Sequence, residues 1–407
     1  MRNPFVHPVE PREGPTAFVL NVSLAGLGAI RSLGRGGVTV IGLDPDPGHA
    51  GFASHYCTAL QCPHPVHAPD ALLEFLLDQG RQLSEPGILS PASDAFILFI
   101  SRYRDELQDL FRFNLPTPEV MEATIDKRKL YELADRIGVP HATTVYPETM
   151  DDVLRIADQL DYPAYIKPYH SHLWQVAFPE AGKGIKVFSA KELVDSFERV
   201  LDAGVQVMVQ SIIVGPATNV QSIRVYVTAA GDTIAAFTNR KIRQFPVEFG
   251  RATLAESIHE PAFREMGMAF FRDIDYRGFG LIEFKRDDRD GILKLTDMNP
   301  RWLKTVNIAT DSGIDFPLLH YLDLAGETPP PQFDFRNGVR WLDAVGDLAS
   351  SWSLYRAGEL TPWAWARSLS GVRSFAAFAM DDWGPFLQEY DYGRRLLRIP
   401  QAILQRG

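Results

Sequence analysis

The sequence predicts a mixed chain, α/β in its first third and α+β beyond. Three observations predict it. Strand and helix signals alternate up to about residue 110, a proline-marked break follows in NLPTP, and the region after Val205 consists of long β-rich runs joined by short turns. The alternation is the rhythm of an open parallel sheet covered by helices, and the long runs with tight turns are that of antiparallel sheet. With 407 residues, 45% hydrophobic and 23% charged, the chain has room for two or three domains.

The elements follow in order. AFVLNVS reads as a strand, AIRSLGRGG as a helix and VTVIGLD as the next strand. A helix near ALLEFLLDQGRQL, a strand in GILSPASD and a helix from AFILFISRYRDEL continue the pattern. Within SLAGLGAIRSLG, Gly26 and Gly28 fit a G-x-G-x-x-G dinucleotide fingerprint, and Asp44 ends the next strand where a ribose-binding acid would stand. Arg31 occupies the third glycine position, and a tight strand-to-helix turn needs glycine in any case. A nicotinamide-dependent dehydrogenase is the reading these glycines would support, and it would leave the second half of the chain unexplained.

The charge-free run from Gly14 to Ile30 could pass for a signal-peptide core. Asn21, Ser23 and the glycines fit strand, turn and helix better. No other run approaches a membrane span, so the expected location is cytoplasmic. The two cysteines, Cys57 and Cys62, lie among His49, His55, His64 and His67, but their spacing matches no zinc pattern and is expected to be packing in a reducing compartment. A formal charge of −10 argues against nucleic acid or an anionic membrane as the main partner and favours a small molecule.

Beyond the break, an amphipathic helix begins near Asp126 and puts Lys127 in its first turn, where a cation is disfavoured unless an anionic ligand shares the site. In YPAYIKPYH, Lys167 interrupts an apolar strand and must snorkel or meet an anion. In FPEAGKGIKVFSAKEL, Gly182 and Gly184 flank Lys183 ahead of a strand and a helix from Ala190. Such a glycine hairpin can lay N–H groups over phosphates, or simply turn. VQVMVQSIIVGP is a buried strand ending at Gly215-Pro216, able to offer backbone groups to a flat ring or to serve as core. Arg224, Arg240, Lys241 and Arg243 cluster in the next runs and suggest an anion-handling surface.

The last informative stretch, GFGLIEFKRDDRDGILKLTDMNPR, is a hairpin with its turn between Asp287 and Gly291. Folded symmetrically about Asp290, it would set Glu283 opposite Asp297, with Asn299 on the same face. Facing carboxylates at roughly 5 Å repel by about 3 kcal/mol at an effective dielectric of about 20. A divalent cation would compensate, and Mg²⁺ suits two carboxylates and an amide oxygen. A solvated edge hairpin is the alternative reading.

Taken in order, these pieces resemble the ATP-grasp superfamily over most of the chain: TIDKRKL and YIKP its two ATP lysines, AGKGIK its glycine loop, VMVQSIIVGP its adenine hinge, and IEF with TDMNPR its metal end. NRKIRQFPVEFGRATLAES and FAMDDWGPFL are similar to segments of the carboxylate-amine ligase type that includes D-aspartate ligases. The resemblance implies a Rossmann-like pre-ATP-grasp domain over 1–120, an ATP-grasp domain over 121–330 with subdomains 121–205 and 206–330, and a C-terminal extension over 331–407. It implies Lys127 and Lys167 on ATP phosphates, Lys183 and Gly184 in a lid over them, and Gln210, Ser211 and Ile212 around adenine. It further implies Glu283, Asp297 and Asn299 on Mg²⁺ or Mn²⁺, Arg301 on the transferred phosphoryl group and the tetrahedral intermediate, and Lys241 and Arg243 beside the γ-phosphate or substrate carboxylate. The activity implied is ADP-forming ligation of small-molecule carboxylate and amine substrates, amino acids among them, by an enzyme for which a homodimer is allowed. A nucleotide-binding regulator without catalysis is the competing expectation. The sequence departs from the family in three places: Asp297 replaces the usual Glu, Ser211 a usual acid, and GPATN carries no acid for the ribose.

Overall fold

The computed structural model describes residues 10–396, apart from 169–173, 175–176 and 179–183. The chain divides into two compact units, one made of Met1–Leu133, Ala217–Glu283 and Asp297–Gly407, the other of Ala134–Pro216 and Phe284–Thr296.

The first unit opens with five strands: β1 (Ala17–Leu20), β2 (Val40–Asp44), β3 (Thr58–Gln61), β4 (Gly87–Pro91) and β5 (Phe111–Arg112), in the order β3-β2-β1-β4-β5. All neighbours run parallel, as the alternating pattern predicts. Helices α1 (Leu24–Arg35), α2 (Pro69–Arg81) and α3 (Asp94–Arg102) connect them. Ser23 caps α1 by accepting from the Ala25 amide.

The glycine run before α1 is used for packing. A Cβ on Gly26 would lie 2.0 Å from the Asn21 carbonyl oxygen, and one on Gly28 would lie 2.5 Å from a Val306 methyl carbon. Arg31, at the third fingerprint position, is buried and donates to Asp382 at 2.9 Å and to two carbonyls at 2.8 Å. The Asp44 carboxylate is occupied by the amides of Val22 (2.8 Å) and Asp46 (3.0 Å) and by His49 (2.8 Å). These contacts account for the motif without a dinucleotide. Cys57 and Cys62 are free thiols, and burial pushes both up to about 12. No group of three or more His, Cys, Asp or Glu is placed to hold a metal among the described residues. Among the same residues, no helix is long and apolar enough to cross a membrane.

Helices α4 (Pro118–Ile125) and α5 (Lys127–Arg136) come next. The second unit carries β6 (Thr144–Val145), β7 (Ala164–Pro168), β8 (Ile185–Val187) and β9 (Val207–Ser211), an antiparallel sheet in the order β6-β9-β7-β8. Helices α6 (Met150–Ala157) and α7 (Ala190–Asp202) pack on it through Val153, Leu193, Phe197 and Val200, all essentially buried. Gly184, just before β8, has φ +155°, and a Cβ there would lie 2.2 Å from the Ile166 carbonyl oxygen. Only glycine fits so close to a neighbouring strand.

The third sheet contains β10 (Val220–Val227), β11 (Thr233–Phe245), β12 (Arg251–Ser257), β13 (Gly278–Arg286), β14 (Leu293–Asn299), β15 (Arg340–Leu342) and β16 (Val372–Phe375), in the order β14-β13-β10-β11-β12-β15-β16. Its helices are α8 (Pro261–Asp273), α9 (Val306–Ser312), α10 (Phe316–Leu324), α11 (Ala344–Arg356), α12 (Pro362–Ser368) and α13 (Gly384–Leu396). Within the first unit, Val19, Ile30, Phe237, Trp302, Phe316 and Trp341 share one core, which joins the N-terminal sheet to this one.

The β13–β14 turn differs from the symmetric expectation. Asp287 donates its amide to the Ile292 carbonyl at 3.0 Å, and its carbonyl accepts from Gly291 at 2.7 Å. The closing pair is thus one residue short of a turn centred on Asp290. Gly291 at φ +72° absorbs the extra residue as a bulge. The Asp287 carboxylate is fully buried and binds Arg289 at 2.6 Å and Lys294 at 2.8 Å. Arg289 also donates to the Ile212 carbonyl at 3.0 Å, and the Asp288 amide to the Val214 carbonyl at 3.1 Å. The turn therefore fixes the chain that leaves β9.

Asp287→Ala is expected to destabilise the protein by roughly 3 kcal/mol, because it leaves two cations without their buried carboxylate. Although burial alone would raise its pKa, Arg289 and Lys294 hold the Asp287 carboxyl well below the usual carboxylate range. Its contribution is therefore complete above the unfolded value near 4 and fades as pH falls below it. Urea melts of both proteins at neutral pH and at about pH 3 check this: the difference must shrink in acid.

Candidate functional site

The acids at the end of the β13–β14 hairpin are neutralised by lysines. Lys127, the first residue of α5, binds the Asp297 carboxylate, and Asn299 donates to the other oxygen of Asp297 at 3.0 Å. Lys241 on β11 lies 2.9 Å from the Glu283 carboxylate. Two ammonium groups thus face the acids to which the sequence assigns a divalent cation. Burial opposes the charge on Lys127, but Asp297 outweighs it and the pKa is raised. Burial likewise pushes Asp297 up, and the Lys127 charge wins, so its pKa is lowered. The Glu283 charge also acts on Lys127, and that of Lys241 on Asp297, which makes the four groups one electrostatic unit.

Arg224 on β10, which feels the Glu283 charge, is among the largest fully buried side chains. Burial lowers its guanidinium to about 9, against the opposing pull of Glu283. Its hydrogen bonds go to neutral partners, Asn239 and the Thr305 hydroxyl, the latter at 2.6 Å. The basic residues that cluster in sequence are not one anion-handling surface. Arg240 pairs with Glu256 at 2.9 Å, Lys241 with Glu283, and Arg243 is bidentate to Asp347 on α11 at 2.8 Å for both bonds, with Ser368 as a third partner. Strand alternation and a register shift between Lys241 and Arg243 send neighbouring cations to different acids.

Arg301 follows β14 and is held by Asp94, the first residue of α3, through two bonds of 2.6 and 3.0 Å. This is a planar fork on a carboxylate, a geometry that another carboxylate or a phosphoryl group can share.

In the second unit, Lys167 on β7 donates to the Gln210 side-chain oxygen at 2.9 Å, and Gln210 donates in turn to Thr144 at 2.8 Å. The Ser211 amide donates to Thr143 and the Ile212 amide to Pro163, at 2.9 and 2.8 Å. With its carbonyl taken by Arg289, Ile212 has both peptide groups engaged. The next residue, Ile213, enters no such backbone bond among the described residues and is nearly buried. Nothing in VQSIIVGP distinguishes Ile213 from Ile212 in the sequence. The Ser211 hydroxyl is buried and has no partner among the described residues. Of the two expected lid residues, Lys183 lies outside the described residues, whereas Gly184 is placed just before β8 as described above.

The donor set of Glu283, Asp297 and Asn299 consists of hard oxygen ligands only, two of them anionic, and fits a Mg²⁺ that also takes phosphate oxygens. Residues 126–316 match the family model described as carbamoyl-phosphate synthase L chain, ATP binding domain. Over 254 residues the chain is 22% identical to the D-aspartate ligase of Enterococcus faecium, an alignment that spans 60% of this chain and 60% of that protein. Among solved structures it is similar to N5-carboxyaminoimidazole synthetase from Staphylococcus aureus, with a TM-score of 0.61 at 12% identity over 82% of each chain. It is also similar to the biotin carboxylase domain of Hydrogenobacter thermophilus 2-oxoglutarate carboxylase in complex with MgADP, ADP and bicarbonate, with a TM-score of 0.61 at 16% identity over 81% of this chain and 74% of that one. The family match over residues 126–316, the three sheets and the ordered motifs agree with the ATP-grasp fold that the sequence resembles.

Proposed function

We propose that the protein is an ADP-forming carboxylate-amine ligase that makes an amide or peptide bond through an acyl phosphate. The observation that carries this reading is the unit of Lys127, Asp297, Asn299, Lys241 and Glu283, in which two acids and an amide stand among lysines whose counter-charges a polyphosphate could replace. A Mg²⁺ held by Glu283, Asp297 and Asn299 would neutralise charge on the β- and γ-phosphates. Lys127 and Lys167 exchange their present partners for phosphate oxygens, and Lys183 and Gly184 belong to the loop that shields them from water. Gln210, Ser211 and Ile212 line adenine, and we add the peptide groups of Ile213 as its hydrogen-bonding edge.

In the reaction, an oxygen of the substrate carboxylate attacks the γ-phosphorus and ADP leaves. The amine nitrogen then attacks the acyl carbon, loses a proton, and phosphate departs with one of the acid's original oxygens. Arg301, positioned by Asp94, stabilises the charge on the transferred phosphoryl group and on the tetrahedral oxygen. Lys241 stands beside the γ-phosphate or the acid. We assign Arg243, buried against Asp347, to holding the strand that presents Lys241. Module boundaries near residues 120 and 330, a cytoplasmic location and small-molecule substrates belong to the same proposal.

The test is ADP release in a matrix of carboxylic acids, amino acids among them, against amines. A pair-dependent ADP signal with stoichiometric amide is expected. Nucleotide binding without turnover for any pair would favour the regulatory reading instead.

A further inference from the structure

Helix α11 is built inside out. Its buried face carries Asp347, Ser350 and Ser351, which are at most 7% exposed, and its outer face carries Val345, Leu348, Trp352 and Tyr355, which are 51–61% exposed. The spacing of the outer four, i, i+3, i+7 and i+10, is one continuous stripe along the helix. Normally such a stripe faces the core. Here the polar side is locked inward: Asp347 takes Arg243 through two bonds of 2.8 Å, Thr253 at 3.2 Å and the Trp365 indole at 3.0 Å, while Ser350 donates to the Gln244 carbonyl at 2.8 Å. Rotating the helix to bury the stripe would strip the buried Arg243 of its carboxylate. Trp365 ties α12 to α11, and α12 adds Trp363, 78% exposed.

We propose that the outer face of α11, with Trp363, is the contact through which two copies of this chain associate. The five side chains expose roughly 600–700 Å², more than the largest apolar patch of a typical monomer. Two copies would bury about 1,300 Å², within the range of specific interfaces and near its lower end, and with no charged pair across α11 the dissociation constant expected is at the weak end for such areas, on the order of micromolar. A two-fold contact needs a self-complementary patch, and an uncharged apolar stripe is complementary to itself. From Ala344 to Tyr355 the only charged residue is Asp347, which is turned inward. The net charge of −10 opposes close approach over the rest of the surface, and this face escapes it. A membrane surface would call for lysines and arginines bordering the stripe, and α11 has only Arg356 at its end. The proposal does not depend on the ligation reading.

Sedimentation of the full chain between about 1 and 100 μM tests it, since this range brackets the expected dissociation constant. The expected result is a shift from one to two chains per particle across that range. Leu348→Glu and Trp352→Glu should each remain single-chain at the highest concentration, with unchanged melting temperature. Ser353→Cys should cross-link to its own copy with a short bismaleimide, and adding Trp352→Glu should abolish the cross-link. A single-chain particle at all concentrations, an unchanged two-chain particle in both glutamate variants, or wild-type binding to anionic vesicles in place of self-association would overturn the assignment.

Discussion

Asp297→Asn and Glu283→Gln are each expected to lower Mg²⁺-dependent turnover by about a thousandfold. One unit of charge about 4 Å from a divalent cation contributes about 8 kcal/mol at an effective dielectric of about 20; water and the remaining ligands screen roughly half of this, and the about 4 kcal/mol left is a thousandfold at about 1.4 kcal/mol per decade. The fold should survive. Lys127 and Asp297 are half-buried, and an asparagine at 297 still accepts a hydrogen bond from Lys127. Glu283 is more enclosed, but a glutamine there still accepts a hydrogen bond from Lys241. Turnover as a function of Mg²⁺ concentration, with a melting curve of each variant, is the check. Wild-type dependence on Mg²⁺ in either variant would remove these residues from the metal site.

Arg301→Met should leave the ATP dissociation constant within about twofold and cut the ligation rate by two to three orders of magnitude, because the guanidinium acts on charge that appears only in the transition state. Asp94→Asn is the companion variant. Asp94 positions Arg301, so its loss should lower kcat by about tenfold without changing the Michaelis constant for ATP. Nucleotide affinity falling in step with rate in Arg301→Met would make Arg301 a ground-state binding residue instead.

What could be read in the sequence was what is local. The parallel N-terminal sheet followed from alternating strand and helix signals, and the hairpin with its acids from a period of two and a glycine turn. Lys127 and Lys167 stood out because a lysine in a helix's first turn or inside an apolar strand needs a reason. What escaped reading depends on distant partners. Arg243 meets Asp347 across 104 residues of sequence, and Arg31 meets Asp382 across 351. No local pattern tells a substrate-facing arginine from one that anchors a helix. The same pairing turned α11 inside out, and its stripe reads in sequence like any core-facing helix. The register at the hairpin turn was shifted by one residue because Gly291 permits a bulge that counting residues does not reveal.

If a substrate carboxylate takes the terminal phosphoryl group of ATP before the amine attacks, one of its oxygens must leave with phosphate. The direct measurement uses a donor acid labelled with ¹⁸O in both carboxylate oxygens and mass analysis of the released phosphate. ADP and phosphate carrying one ¹⁸O per amide formed are the expected products. AMP with pyrophosphate, or unlabelled phosphate in a reaction that still yields amide, would contradict it.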